Sequence, residues 1–317
     1  MASLEVDDPR FDRLCEDVTP ARRTRATITL VDDSAPLPNP GSPVPGTVWI
    51  TAKKMDVLVL VVREFSAPEV PFHSEPDPKR DYLAIATEML FADLQVIENR
   101  LERLGKEPSS RVPGTSSFAD KRVLEKAKEV LERGEPLRKG SWQDLEKSVL
   151  QTYSFLSAKP WVVVINCAES HLAETPNWED FAPGIPVVKV CAQCEVDLKG
   201  FSEKEREEFY HEWGVKTPPG RYLSRVIRDS AGLITFYTIE GDEARAWLVE
   251  KGTTAHQAAG VIHTDLMKGF IRAEVLPYHE FESLGSVQEA TKEHKWQVHG
   301  KDYVLQDGDI LRIRHKS

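Results

Sequence analysis

The stretch "WVVVINCAES" (161–170) is an apolar run that stops at Asn166 and leaves a carboxylate, Glu169, three residues on. A buried strand ending in Asn-x-x-Glu or Asn-x-x-Asp is where many nucleotide-binding α/β proteins read the base of ATP or GTP. Taken alone, the same pair also reads as a strand end capped by a turn former. The companion feature of a nucleotide site is a Gly-x-x-x-x-Gly-Lys-Ser/Thr loop, whose amides cradle phosphates, whose lysine neutralises them and whose hydroxyl binds magnesium. The 317 residues hold no such loop: Lys106 and Lys301 each follow a glycine, but they precede Glu and Asp.

Three further groups have chemistry-bearing types. Cys191-x-x-Cys194 has the spacing of half a zinc site or of a redox pair. No second Cys-x-x-Cys accompanies it, and zinc needs about four ligands, so packed thiols at a strand end are expected and no metal site is assigned. Arg221, Arg225 and Arg228 recur at helical spacing. They are either a solvated helix face or an RNA-facing stripe. Asp307-Gly308-Asp309 lacks the other ligands of a calcium loop and reads as a turn.

The chain carries 51 acidic against 41 basic residues, a formal charge of −10, so its surface as a whole does not attract a polyanion. Any nucleic-acid contact has to come from a local basic patch. No apolar stretch approaches the roughly 20 residues that span a bilayer, and four cysteines in so long a chain make no disulfide framework. The expectation is a cytoplasmic protein with neither a membrane nor DNA as partner.

The elements that must position these groups begin with apolar runs rich in β-branched residues. "ATITLVDD" (26–33), "DVLVLVVREF" (56–65), "PWVVVINCAE" (160–169) and "GIPVVKVCAQCE" (184–195) read as buried parallel strands, which need helices on both faces. Between the second and third, Leu90, Leu94, Ile97, Leu101 and Leu104 repeat at spacings of four and three, a coiled-coil seam. After turn formers, Leu124, Ala127 and Leu131 return on one stripe with Gly134 as a stop, which predicts an inserted antiparallel helical hairpin. From about residue 232 the pattern becomes a small mixed unit. "LITFYTI", "GFIRAEVL", "DYVLQ" and "DILRIRH" read as strands and "TTAHQAAGVIH" as a helix.

Together these pieces resemble the YchF family of Obg-like ATPases. "RAWLVEKGTTAHQAAGVIHTDLMKGFIRAEVLPYHEF" and "GKDYVLQDGDILRIR" are similar to that family's TGS domain. "DPKRDYLAIATEMLFADLQVIENRLERL", "SAKPWVVVINCAE" and "VDDPRFDRL" resemble its other stretches, so the likeness runs from about Val6 to Ser317. The resemblance implies an α/β fold: an incomplete Ras-like (P-loop NTPase) parallel sheet with an inserted antiparallel α-helical hairpin and a C-terminal ubiquitin-like β-grasp TGS domain. The divisions expected are 1–75 and 155–231 for the nucleotide-binding domain, 76–154 for the arm and 232–317 for the TGS domain. Family members bind and hydrolyse ATP, sometimes GTP, and associate with ribosomes. By the resemblance, Asn166 buttresses the loop, Glu169 accepts from the exocyclic amine of adenine, and Cys191, Ala192 and Gln193 flank the base.

The phosphate side departs from the family. Its loop lies on the strand before the residues that Met1 onward resemble. After the strand ending at Asp32, where the family has Asp-x-x-Gly, the chain reads "DDSAPLPNPGSPVPG", with Ala35 in place of the glycine and five prolines from Pro36 to Pro45. Proline removes amide donors and stiffens φ, so this stretch cannot make the same phosphate contacts. Asp32 reads as a solvated strand end in preference to a magnesium ligand. The expectation is a degenerate, non-hydrolysing family member that binds ATP or GTP weakly, if at all, and has no catalytic residue. The alternative is an ATP-hydrolysing protein whose N-terminal P-loop segment is missing from this sequence, and a third reading is a silent partner of an intact homologue.

The lost strand would leave a gap between 27–32 and 57–62, so those strands are expected to pair directly or to admit "TVWIT" (47–51). The partner expected is the ribosome or its RNA, met by the arm and by Arg272, Arg312 and Arg314, which alternate along C-terminal strands.

Overall fold

The computed structural model describes residues 1–32, 48–67, 75–174, 178–179 and 182–316. The chain divides into two compact units, Met1–Asp32 with Gly220–Ser317, and Asp33–Pro219.

The first residues form β1 (Ala2–Glu5), α1 (Pro9–Val18), β2 (Arg22–Thr24) and β3 (Thr27–Leu30). Asp8 caps α1 by accepting from the Arg10 amide, and Pro9 occupies the first turn, where a missing N–H costs nothing. β3 pairs antiparallel with β1, Thr27 opposite Glu5 through Leu30 opposite Ala2. The expected buried parallel strand at 26–33 is therefore corrected. Thr27 and Thr29 face out while Ile28 and Leu30 face in, the period of two of a strand wetted on one side. β2 adds itself to a C-terminal strand, so residues 1–32 fall with 220–317 and not with the expected nucleotide domain.

In the second unit, α2 (Val48–Ala52) is a short helix closed by Lys53 N–H on the Trp49 carbonyl, with Val48 and Trp49 buried. The strand expected at 47–51 is thus also corrected: Thr47 lies outside the described residues, and tertiary burial of Trp49 overrides β-branched propensity in the rest. β4 (Leu58–Glu64), β5 (Trp161–Cys167) and β6 (Val187–Val190) make a parallel sheet in the order β4-β5-β6, with Leu60 beside Val163 and Ile165 beside Lys189. β5 is buried on both faces, as its unbroken apolar run requires. Neither expected filling of the gap beside β4 occurs. β3 pairs with β1, and among the described residues β5 is the only strand paired to β4.

Between β4 and β5 run α3 (Pro78–Lys106) and α4 (Ser116–Glu132), followed by α5 (Asp144–Tyr153). Ile97 and Leu104 of the seam are fully buried against Leu124, Ala127 and Leu131, while Leu90, Leu94 and Leu101 pack at the margin. Gly134, at φ 75°, supplies the left-handed turn that ends α4. Asp93 on α3 is completely buried and accepts from the amides of Leu156 (3.0 Å) and Ser157 (2.7 Å), tying the helix to the turn that enters β5. After β6 come α6 (Ala192–Asp197), α7 (Glu203–Glu212) and α8 (Pro219–Ser230).

The C-terminal chain forms β7 (Leu233–Glu240), β8 (Glu243–Glu250), α9 (Ala255–Ile262), α10 (Thr264–Lys268), β9 (Phe270–Leu276), α11 (Tyr278–Leu284), α12 (Val287–Lys292), β10 (Gln297–His299) and β11 (Ile310–His315). Their sheet has the order β10-β9-β11-β7-β8-β2, with one core on the side of α9 and another, containing Phe11, Leu14 and Tyr237, on the side of α1. The strand expected at "DYVLQ" reduces to a single bridge between Val304 and Thr254.

Replacing Asp93 by alanine leaves two buried amides without acceptors. The expected loss is about 2–4 kcal/mol, measured by urea unfolding, with Asp93→Asn losing less because one acceptor oxygen remains.

Candidate functional site

The C-terminal ends of parallel strands open to one side of their sheet, the usual place for a ligand. Here, beyond the paired ends of β5 and β6, the Asn166 carboxamide oxygen accepts from the Ala192 amide at 3.0 Å. That bond holds the first turn of α6 against the end of β5. Glu169 opens a single helical turn, Glu169–His171, and its carboxylate is exposed to solvent. Ala192 and Gln193 are exposed, while Cys191 is buried as the N-cap of α6. Asn166, Glu169 and the loop 191–193 therefore lie at one end of the sheet, on the segments that follow β5 and β6. Gln193 is engaged elsewhere, since its amide donates to Asp197 at 2.8 Å.

Sequence reasoning missed the buried ion pair beneath this loop. Lys189, its side chain 7% exposed, forms an ion pair with Glu64 at 3.0 Å and donates to the His171 carbonyl at 3.0 Å and to Glu174 at 3.5 Å. It fastens the end of β4 and the Glu169–His171 turn to β6. The signal was parity: Lys189 is level with Ile165 and Glu64 with Cys167, positions where the alternating pattern puts core residues. A buried ammonium requires a counter-charge, and the matched charges meet across β5.

Asp32 is exposed beyond β3, which belongs to the two-stranded sheet and not to the sheet that bears Asn166. Ala35 and the prolines from Pro36 to Pro45 lie outside the described residues. Among the described residues no group of three or more His, Cys, Asp or Glu could hold a metal, and no helix is long and apolar enough to cross a membrane.

The arginines expected to face RNA are engaged within the chain. On α8, Arg225 donates to Asp7 from Nε at 2.6 Å and also from its guanidinium end, and Arg221 approaches the same carboxylate at 3.9 Å. Arg228 lies 3.8 Å from Asp8 and 2.7 Å from Asp229. On the C-terminal sheet, Arg272 and Arg314 share Glu274, the latter through two bonds, and Arg312 lies 4.0 Å over the Trp296 ring. Arg272, Arg312 and Arg314 do occupy one sheet face, since Arg312 is opposite Glu274 and Arg314 opposite Arg272.

Asp8 is the centre of the first cluster. Its buried carboxylate accepts from Arg10 Nε and Nη2, each at 3.0 Å, and from the Tyr237 hydroxyl at 2.7 Å, and Arg10 bridges on to Asp307. Burial alone would push the Asp8 carboxyl up, but the Arg10 hydrogen bonds and charge, with the Tyr237 hydroxyl, outweigh it and hold the group below the usual carboxylate range.

A carboxyl held low in the folded state contributes stability that is complete above its unfolded value, about 3.9, and is lost as the pH falls through the folded value. Acid melting curves of the wild type should therefore drop steeply below about pH 4, and those of Asp8→Asn should be flatter there. At neutral pH, Tyr237→Phe is expected to lose about 1.5–3 kcal/mol in chemical denaturation, the usual worth of a hydrogen bond to a charged group.

Comparison with known proteins agrees with this architecture. A family model named YchF-GTPase_C, described as a protein of unknown function, matches residues 233–316. The ribosome-binding ATPase YchF of Haemophilus influenzae is 34% identical over 324 residues, covering 98% of this chain and 87% of that protein. Obg-like ATPase 1 of Schizosaccharomyces pombe is 30% identical over 329 residues, covering 98% of this chain and 83% of its own length. The solved structure of the Schizosaccharomyces pombe YchF GTPase superposes with a TM-score of 0.87 at 28% identity, over 99% of this chain and 87% of that one. From sequence and fold together, the chain belongs to the YchF family of Obg-like, nucleotide-binding ATPases.

Proposed function

We propose that the 317-residue chain is a non-hydrolysing member of this family that acts in the cytosol as a ribosome-associated binding module. The observation that carries the reading is the asymmetry of the parallel sheet. Its base side is assembled, with Asn166 holding Ala192. The strand that leads to Asp32 pairs instead with β1, and the sequence supplies no phosphate-cradling glycine loop and has Ala35 where a glycine amide would meet the terminal phosphate. Glu169 then reads the purine amine while Cys191, Ala192 and Gln193 flank the ring, and affinity is low because most of the favourable electrostatics of nucleotide binding lies at the phosphates.

The 232–317 unit is read as a ubiquitin-like TGS domain and the α3–α4 pair as the family's antiparallel arm, and these carry the partner contact. The relatives' names include ribosome binding, which supports the ribosome as that partner. Ribosomal RNA would meet the face bearing Arg272, Arg312 and Arg314; because Glu274 neutralises part of that face, the contact should be modest. A second reading, an ATP-hydrolysing protein completed by further sequence, is favoured by the edge of β4 that has no strand partner among the described residues.

The full chain should show no ATP or GTP turnover above that of its Glu169→Ala variant, while calorimetry gives weak binding that Glu169→Ala reduces about fivefold, the worth of one hydrogen bond. Turnover that Glu169→Ala abolishes would defeat the non-hydrolysing reading. Co-sedimentation of the full chain with ribosomes should weaken with added salt and weaken further with Arg312→Glu plus Arg314→Glu. Ribosome binding unchanged by both would place the contact elsewhere.

A further inference from the structure

The base-side loop contains a chemistry that base reading does not use. Cys191 ends β6 in an extended conformation, φ −99° and ψ 96°, and caps α6; Cys194 sits one turn later. The Cys191 sulfur accepts from the Cys194 amide at 3.3 Å and from the Cys194 thiol at 2.7 Å. Both thiols are free and buried. A zinc reading of Cys-x-x-Cys needs further ligands, and the described residues gather no third one around this pair.

Two sulfurs already in contact across one turn need only a side-chain adjustment to reach the roughly 2.0 Å of a disulfide bond. Their roles are unequal. Both hydrogen bonds run toward the Cys191 sulfur. Cys194 is the donor, and burial together with its bond to Cys191 pushes its thiol up to about 12. Burial likewise pushes Cys167, the neighbouring thiol on β5, up to about 11. Ala192 and Gln193 between the two cysteines are exposed, so the two buried sulfurs lie directly under a surface turn.

We propose that Cys191 and Cys194 form a reversible dithiol–disulfide site, oxidised by a small peroxide and reduced by a dithiol. Cys191, as thiolate, attacks one peroxide oxygen; the O–O bond breaks, Cys191 becomes a sulfenic acid, and the departing hydroxide takes up the proton that Cys191 released, giving water. The Cys194 sulfur then attacks the Cys191 sulfur, forming the S–S bond, breaking S–O and losing its own proton to the second departing hydroxide. Two thiols are oxidised, and one peroxide is reduced to two waters. A dithiol reverses the reaction through a mixed disulfide and leaves as a cyclic disulfide. Because the Ala192 amide that Asn166 holds lies between the two sulfurs, the disulfide fixes the turn that presents it.

The test is independent of whether a nucleotide binds. The full chain is exposed to dilute hydrogen peroxide, remaining thiols are blocked with N-ethylmaleimide, and tryptic peptides are weighed. With blocking done in denaturant, which exposes all four buried cysteines, blocked thiols should fall from four to two. The peptide Val190–Lys199, which contains both cysteines, should appear unblocked and lighter by two hydrogens, and dithiothreitol should restore it. In Cys194→Ser, Cys191 has no resolving thiol and should accumulate as sulfenic and then sulfinic acid. The proposal is overturned if Val190–Lys199 is recovered fully blocked, if Cys191 is found joined to Cys167, or if Cys194→Ser leaves Cys191 unoxidised.

Discussion

A buried carboxylate, Asp8, is the constraint on which the arrangement of this chain turns. Isolated, such a charge costs several kcal/mol to remove from water, so it is tolerated only where donors converge on it. Arg10 supplies them from one turn of α1 and Tyr237 from β7, 229 residues away. Arg10 also reaches Asp307, which in turn accepts from the Thr235 amide. Next to Asp8, Asp7 is held by Arg225 and its amide by the Ser224 hydroxyl. The polar cluster and the apolar core containing Phe11, Leu14 and Tyr237 hold the first 32 residues to the C-terminal sheet.

The functional consequence follows from strand supply. A nucleotide site of the kind that hydrolyses ATP needs phosphate ligands from strands on both sides of the glycine loop, all in one parallel sheet. In this chain β3 is committed to β1 and β2 to β8, so the strand that precedes Asp32 does not enter the sheet of β4, β5 and β6. Asn166, Glu169 and the 191–193 turn take nothing from that segment: they are positioned by β5, β6 and the Lys189–Glu64 pair.

What could be read from the sequence was what depends on local pattern. β5 is an unbroken apolar run because both of its faces are buried, and α3 and α4 show their seam because a helix repeats it every turn. β3 was misread because two threonines are β-branched but polar, so a wetted strand looked like a buried one. The Val48–Ala52 helix was misread because burial of Trp49, a tertiary matter, outweighs its β-branched neighbours. The stripe of Arg221, Arg225 and Arg228 was legible as a helix face, but its partners, Asp7 and Asp8, lie more than 200 residues away and no local pattern points to them. At the candidate site the Asn166 bond to the Ala192 amide follows no local pattern, and Lys189 and Glu64 are visible only once register places each among core residues.

The central claim, that the segment before Asp32 belongs to the C-terminal unit and not to the nucleotide sheet, is tested most directly by hydrogen exchange of the full chain read by mass spectrometry. Amides of Thr27–Leu30 should exchange together with those of Ile310–His315, and Asp8→Ala should unprotect both while leaving Trp161–Cys167 protected. Protection of Thr27–Leu30 that follows Trp161–Cys167 and is indifferent to Asp8→Ala would contradict the account.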